Sequence, residues 1–241
     1  MNETRQSIVD WNWSRDLLKL VAIIAMTADH VSTYLMDHGT VAYEICQFFG
    51  NFTIMIMSYF IVQGLKYTHS VRRYAIRMLI WAVISQLPYY LLRHDSGLNV
   101  LVTLLGSLIA VHLLDKKGCG YYILAFAVFL PISLFSDWAF LPLIFTMVFY
   151  EADEHDKKWI PIVILPVVMF VTRCLISSES IARYLSEAAA FAIITTMIYL
   201  LRDKTERKAK GVIPGFVFYA YYPMHLIIIF VNMNITPMSL R

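Results

Sequence analysis

The chain has 241 residues, of which 59% are hydrophobic and 15% charged, with a mean hydropathy of +0.62 and a formal net charge of +3. A water-soluble domain carries about 25% charged residues, so this composition excludes a soluble globular protein and predicts an all-α polytopic helical bundle surrounded by membrane lipids. The small net charge gives no reason to expect nucleic acid as a partner.

The first fourteen residues, MNETRQSIVDWNWS, are polar and lack the apolar core of a signal peptide. Residues 1–14 therefore read as a cytoplasmic tail, with the first span acting as insertion signal. Nine apolar stretches follow, near 16–37, 44–66, 73–93, 97–114, 119–135, 137–150, 159–177, 184–201 and 213–233. Stretches of this length favour helices, because a helix satisfies its own backbone in lipid; alternating strands of a transmembrane barrel are not seen. The fifth and sixth are short and carry Pro131 and Pro142. No internal repeat or linker divides the chain, so residues 15–233 are expected to form one domain, and 234–241 a short extracytoplasmic tail.

The loops set an orientation. One side collects Arg5 and Arg15, Lys66, Arg72 and Arg73, Lys116 and Lys117, Lys157 and Lys158, and five basic residues from Arg202 to Lys210; the other holds Arg93, Arg173, Arg183 and Arg241. The positive-inside rule places the N terminus in the cytoplasm and, after nine spans, the C terminus outside. The membrane is expected to be a plasma membrane or bacterial inner membrane.

Asp29 and His30 lie inside the first span, in the twenty-residue run Leu17 to Met36. Ionisable groups at such depth are costly and mark function by default. Lys19 precedes His30 by eleven residues, so the two share a helix face ~16 Å apart. A histidine can serve as general base, and an adjacent carboxylate can orient it, although neighbouring helix positions diverge by ~100°. The bland alternative is a buried polar cluster that locks helix packing. At the cytoplasmic end of the third span, Arg73 and Arg77 are one turn apart, and two guanidiniums there suit a polyphosphate; Arg72 reads as snorkelling to lipid. Gln47, Asn51, Gln63 and Gln86 read as interhelical hydrogen-bond glue, and Glu187 as isolated. Cys46, Cys119 and Cys174 lack metal-ligand spacing and read as packing residues. No metal is expected.

Four blocks in this order resemble the TraX family: RDLLKLVAIIAMTADHV (15–31), NFTIMIMSYFIVQGLKYTHSVRRYAIRMLIWAVISQLPY (51–89), LNVLVTLLGSL (98–108) and FYAYYPMHL (218–226). More distantly they are similar to transmembrane acyltransferases, which pair a basic residue and a histidine in the first span and an arginine pair in the third. That resemblance implies a membrane acetyltransferase using acetyl-CoA. Lys19, Arg73 and Arg77 would hold the donor, with His30 as base and Asp29 beside it. A late tyrosine–histidine element falls on Tyr222 and His225; with Asn99, at the outer end of the fourth span, these are expected to bind the acceptor. The acceptor implied is a pilin-like N terminus, or alternatively a cell-envelope glycan. Readings of another class are a proton-coupled transporter of small solutes and a non-enzymatic assembly factor for surface proteins.

Overall fold

The computed structural model describes residues 13–116, 118–201 and 214–235. The two tails expected at 1–14 and 234–241 therefore fall almost wholly outside the described residues, as does the basic 202–210 loop. Among the described residues the fold is all-helical, with nine helices: α1 (Trp13–Leu35), α2 (Val41–Tyr67), α3 (Val71–Arg93), α4 (Val100–Asp115), α5 (Cys119–Phe135), α6 (Leu141–Glu154), α7 (Trp159–Ile176), α8 (Ile181–Leu201) and α9 (Gly215–Ile235).

Nine spans were expected, but only six of these helices, α1, α2, α3, α7, α8 and α9, are long and apolar enough to cross a membrane unaided. The other three are consecutive. α4 and α5 are apolar but short, and α6 loses its last turn to Glu151, Asp153 and Glu154. At ~1.5 Å per residue they rise ~21–26 Å, less than the ~30 Å hydrocarbon core. The sixth apolar stretch begins at Leu141 rather than at residue 137; residues 136–140 form an irregular loop instead.

Helix ends follow local chemistry. Thr40 caps α2 by accepting from Tyr43 N–H, and Ser70 caps α3 by accepting from Arg73 N–H. Pro88, Pro131, Pro166 and Pro223 sit inside helices, a pattern tolerated in membrane bundles where neighbours re-satisfy the backbone.

α2 is the central helix. It packs against α1, α4, α6 and α8, while α9 returns to pack against α1 and α3. Its buried side chains, among them Ile54, Met55, Ile56 and Val62, run along most of its length. Lys66, near its C-terminal end, pairs with Asp153 at 2.7 Å and Glu154 at 3.0 Å of α6. Lipid-facing side chains lie on outer faces such as Val83 and Leu87 of α3 and Leu175 and Ile176 of α7. Cys119 and Cys174 are also exposed there rather than packed inside, while Cys46 is half-buried; all three are free thiols.

Two glycines allow close approach. A Cβ on Gly50 would lie 2.7 Å from Asp29 Cβ and Oδ1, and one on Gly64 would lie 2.5 Å from the Tyr74 ring. Gly50→Ala is thus expected to push α1 from α2 and destabilise the fold by about 1–3 kcal/mol. Thermal unfolding in detergent measures this; an unchanged melting temperature would mean that the α1–α2 contact yields freely.

Candidate functional site

α1 carries the groups that organise two opposite cavities. Near its N-terminal end, Arg15 and Lys19 line a cavity of about 600 Å³, together with Phe60, Gln63 and Gly64 of α2, Tyr74, Arg77 and Trp81 of α3, and Phe218 and Tyr219 of α9. Lys19 Nζ lies 3.0 Å from Asp16. The Arg77 guanidinium sits over the Tyr74 ring, 6.0 Å from its centroid. The expected cluster of Lys19 and Arg77 therefore forms, with Arg15 added. Arg73 does not join it: its side chain is exposed and does not line the cavity. A one-turn spacing puts the two on roughly one face, and both are exposed, yet only Arg77 reaches the cavity wall.

At the other end of α1, Asp29 and His30 open onto a chamber of about 490 Å³ lined also by Tyr34, Arg93, Asp137, Trp138 and Arg173. An inner extension of about 60 Å³ reaches Met26, Gly50, Met57 and Tyr222, and a polar side chamber of about 170 Å³ reaches Gln47, Arg183 and Glu187. Asp29 and Trp138 line all three.

The expected Asp29–His30 unit is not what forms. Asp29 turns toward α2, against Gly50 and Gln47. His30 meets His225 instead, with Nδ1 of His30 2.7 Å from Nε2 of His225 and the rings stacked at 4.9 Å. His225 Nδ1 lies 2.9 Å from the Tyr221 carbonyl, and a carbonyl only accepts. His225 therefore carries its proton on Nδ1. With both rings neutral, its Nε2 accepts from His30 Nδ1–H, leaving the lone pair of His30 on Nε2. The tautomer of His30 is set by His225, 195 positions away in sequence, and not by its neighbour Asp29. Tyr222, buried, packs its ring 6.2 Å from His30 and 5.6 Å from His225. Nearby, Thr27 Oγ1 donates to Ile23 O at 2.8 Å and so accepts from Tyr221 Oη at 2.6 Å, a second tie between α1 and α9.

Asn99 is held within the fold. It is fully buried, caps α4 by accepting from Leu101 N–H, and donates from Nδ2 to Ala82 O and Gln86 Oε1, both at 2.8 Å. It lines none of the three chambers.

The uncharged amides divide. Gln86 also donates to Gly97 O at 2.8 Å, and Gln47 bridges α2 to Ser32 and Thr33 of α1 at 2.9 and 3.1 Å. Asn51 instead bonds within its own helix, to Gln47 O. Gln63 is 4% exposed and its Nε2 has no hydrogen-bond partner. Glu187 is not isolated: its carboxylate meets Arg173 Nε at 2.7 Å and Arg183 Nε at 3.7 Å.

Sequence reasoning missed the outer wall. Arg93 on α3 holds Asp95 at 2.9 Å and Asp137 at 2.8 Å. The Gly97 N–H and the Arg93 guanidinium keep the Asp95 carboxyl below its ordinary pKa. The 136–140 loop is pinned to the α3–α4 turn by Leu98 N–H to Phe135 O at 2.6 Å and Asp137 N–H to Leu98 O at 3.1 Å. Within it Trp138 and Ala139 adopt φ of 66° and 45°, a strained conformation for side-chain-bearing residues that clusters at functional sites. The available signal was the scarcity of basic residues in the loops that hold Arg93 and Arg173, which made these two conspicuous. Among the described residues no group of three His, Cys, Asp or Glu side chains converges as metal ligands would.

A multi-pass helical membrane protein with a basic cavity at one end of α1 and a histidine chamber at the other is the class that this geometry defines. The TraX protein family model matches residues 14–232, so the chain belongs to the TraX family. It is 32% identical over 151 residues to the "Probable fimbrial assembly protein FimC, serogroup H1" of Dichelobacter nodosus, covering 54% of this chain and 59% of that relative. The chain thus spans less than two thirds of the relative that it matches. No solved structure matches the chain.

Asn99→Ala is expected to destabilise the protein by about 1–3 kcal/mol, through loss of a cap and of buried hydrogen bonds. Activity per folded molecule should be unchanged. A specific loss of acceptor affinity in the folded variant would return Asn99 to the binding site.

Proposed function

We propose that this protein is an integral membrane acetyltransferase that moves an acetyl group from cytoplasmic acetyl-CoA to an amine or hydroxyl presented on the outer side of a plasma or bacterial inner membrane. The observation that carries this reading is the His30–His225 pair, which leaves one basic ring nitrogen at a chamber on the face opposite the basic cavity. Family membership and the fimbrial-assembly name of the relative favour a pilin-like peptide as acceptor; a cell-envelope glycan hydroxyl would use the same chemistry.

The donor's phosphates would meet Arg15, Lys19 and Arg77, and its arm would run inward along α1. Lys19 and His30 are separated by ~16 Å of helix, a distance suited to a donor with a long arm. The layer in between is about one helical turn thick. Phe60 and Phe218 line the cytoplasmic cavity, whereas Met57 and Tyr222 line the inner chamber. These side chains must part for the thioester to reach His30.

His30 Nε2 would remove the proton of the attacking amine or hydroxyl as the new C–N or C–O bond forms. The thioester C–S bond then breaks, and the sulfur leaves with the proton relayed from His30. Asp29, in the same chamber, is placed to attract an acceptor ammonium and hold it near the base. No acyl-enzyme intermediate is needed.

His30→Ala should lower acetyl transfer by about 10²–10⁴-fold while leaving acetyl-CoA binding intact. His225→Phe, which keeps ring packing but removes the acceptor nitrogen, should lower turnover more than it changes either KM. Turnover of purified His30→Ala near that of wild type would remove His30 from the chemistry. Substrate accumulation in vesicles without acetyl-CoA consumption would favour transport instead. Fimbrial assembly unaffected by His30→Ala would favour a non-enzymatic role.

The orientation is tested separately. With Cys46, Cys119 and Cys174 replaced, a cysteine at His38 should react with an impermeant thiol reagent in intact cells, and one at His69 should be protected. Reversed labelling would place the histidine chamber in the cytoplasm and end the proposed donor route.

A further inference from the structure

The His30 chamber is lined by two opposite charges that the fold does not bring together. Asp29 of α1 and Arg173 of α7 both line it, and both also line the polar side chamber. Among the described residues they form no ion pair with each other. Arg173 donates its Nε–H to Glu187 at 2.7 Å, and its two terminal nitrogens make no hydrogen bond to the protein. Asp29 lies against Gln47 and Gly50 and pairs with no basic side chain. Arg93, the other cation of the chamber, is held by Asp95 and Asp137.

Both groups are within reach of a ligand. The Arg173 side chain is 38% exposed, and Asp29 is half-buried. A purely anionic ligand would meet Asp29 and Asp137, and a purely cationic one would meet Arg93 and Arg173. A ligand with one charge of each sign answers both ends. Its ammonium would sit at Asp29, and its carboxylate would take the terminal N–H groups of Arg173, whose planar fork suits two carboxylate oxygens. The carboxylate belongs in the His30 chamber and not in the side chamber, because Glu179 and Glu187 line the latter beside Arg173. At about 490 Å³ the His30 chamber has the size of a small-ligand site, ~300–1,000 Å³.

Resting on the acetyltransferase reading above, we propose that the acceptor is zwitterionic: an amine that takes the acetyl group, with a carboxylate a few bonds away that docks on Arg173. Asp29 captures the ammonium, His30 removes its proton, and Arg173 selects which amines are presented to that base. A peptide N terminus with an acidic residue close to it and a free amino acid share this chemistry. A glycan hydroxyl has no ammonium to offer Asp29. Arg173 binds the acceptor and takes no part in the proton transfer.

The test uses the full chain in lipid nanodiscs with saturating acetyl-CoA. The acceptors are short, C-terminally amidated peptides that carry either Glu or Gln at the first, second or third position, alanine against alaninamide, and glucuronic acid. Within at least one matched pair the carboxylate-bearing member should be preferred about tenfold in kcat/KM, through KM, as expected of a charge-assisted contact at a half-exposed site. Preference within the peptide pairs identifies a peptide source and preference for alanine a free amino acid; either supports the inference. Arg173→Gln should bring the ratio close to one, and Arg173→Lys should keep part of it. Arg183→Gln removes another partner of Glu187 but lies outside the His30 chamber, and should keep the ratio. The ratio is read within one preparation, so a smaller folded fraction does not alter it, and the wild-type comparison needs no variant. Equal use of both members of every pair, or a ratio that survives in folded Arg173→Gln, overturns the inference alone. Acetylation of glucuronic acid in place of every amine overturns it in favour of a glycan. Acetyl transfer to none of these acceptors overturns the acetyltransferase reading and this inference with it.

Discussion

The arrangement depends on the hydrogen bond between His30 and His225. Two imidazoles within hydrophobic spans are tolerable only when their polar nitrogens find partners. The pairing and the Tyr221 carbonyl supply partners for three of the four nitrogens, all but His30 Nε2, and the pairing ties the first helix to the last. Once α1 and α9 are joined there, Tyr222 is buried against both rings and the Tyr221 hydroxyl reaches Thr27. Gly50 completes the constraint from the other side, letting α2 approach so closely that a Cβ there would meet Asp29.

This constraint gives the molecule two ends of different character. The Lys19 cavity is mainly aromatic with cationic groups, and the His30 chamber has charges of both signs, Asp29 and Asp137 against Arg93 and Arg173. A single layer of Phe60, Phe218, Met57 and Tyr222 separates them. An open pore would not serve the proposed transfer, since water at the thioester would compete with the acceptor.

The three short helices have a physical role in this design. Because α5 and α6 stop short of a full crossing, the 136–140 loop lies at the wall of the His30 chamber, where Trp138 lines all three of its parts. Irregular backbone is allowed at such a position when it lines a polar cavity and is held by protein. The bonds to Leu98 and the Arg93–Asp137 pair hold it. The left-handed conformations of Trp138 and Ala139 are sustained by that support.

The sequence by itself determined the helical membrane class, the nine helices with their approximate limits, and the inward stripe of Lys19 and His30. It could do so because hydropathy and helical periodicity are local, and because one helix fixes both residues. Tertiary structure decided the partners. Adjacent residues on a helix diverge by ~100°, so Asp29 could not be assigned to His30 by proximity in sequence, and the ring that sets the tautomer comes from the other end of the chain. Arg73 and Arg77 share a face by periodicity, but only the cavity that α3 shares with α1, α2 and α9 selects Arg77. Asn99 and Glu187 show the same limit. A polar residue in a span has the same local signature whether it caps a helix, pairs with an arginine or faces a ligand, and only the neighbouring helices distinguish these outcomes.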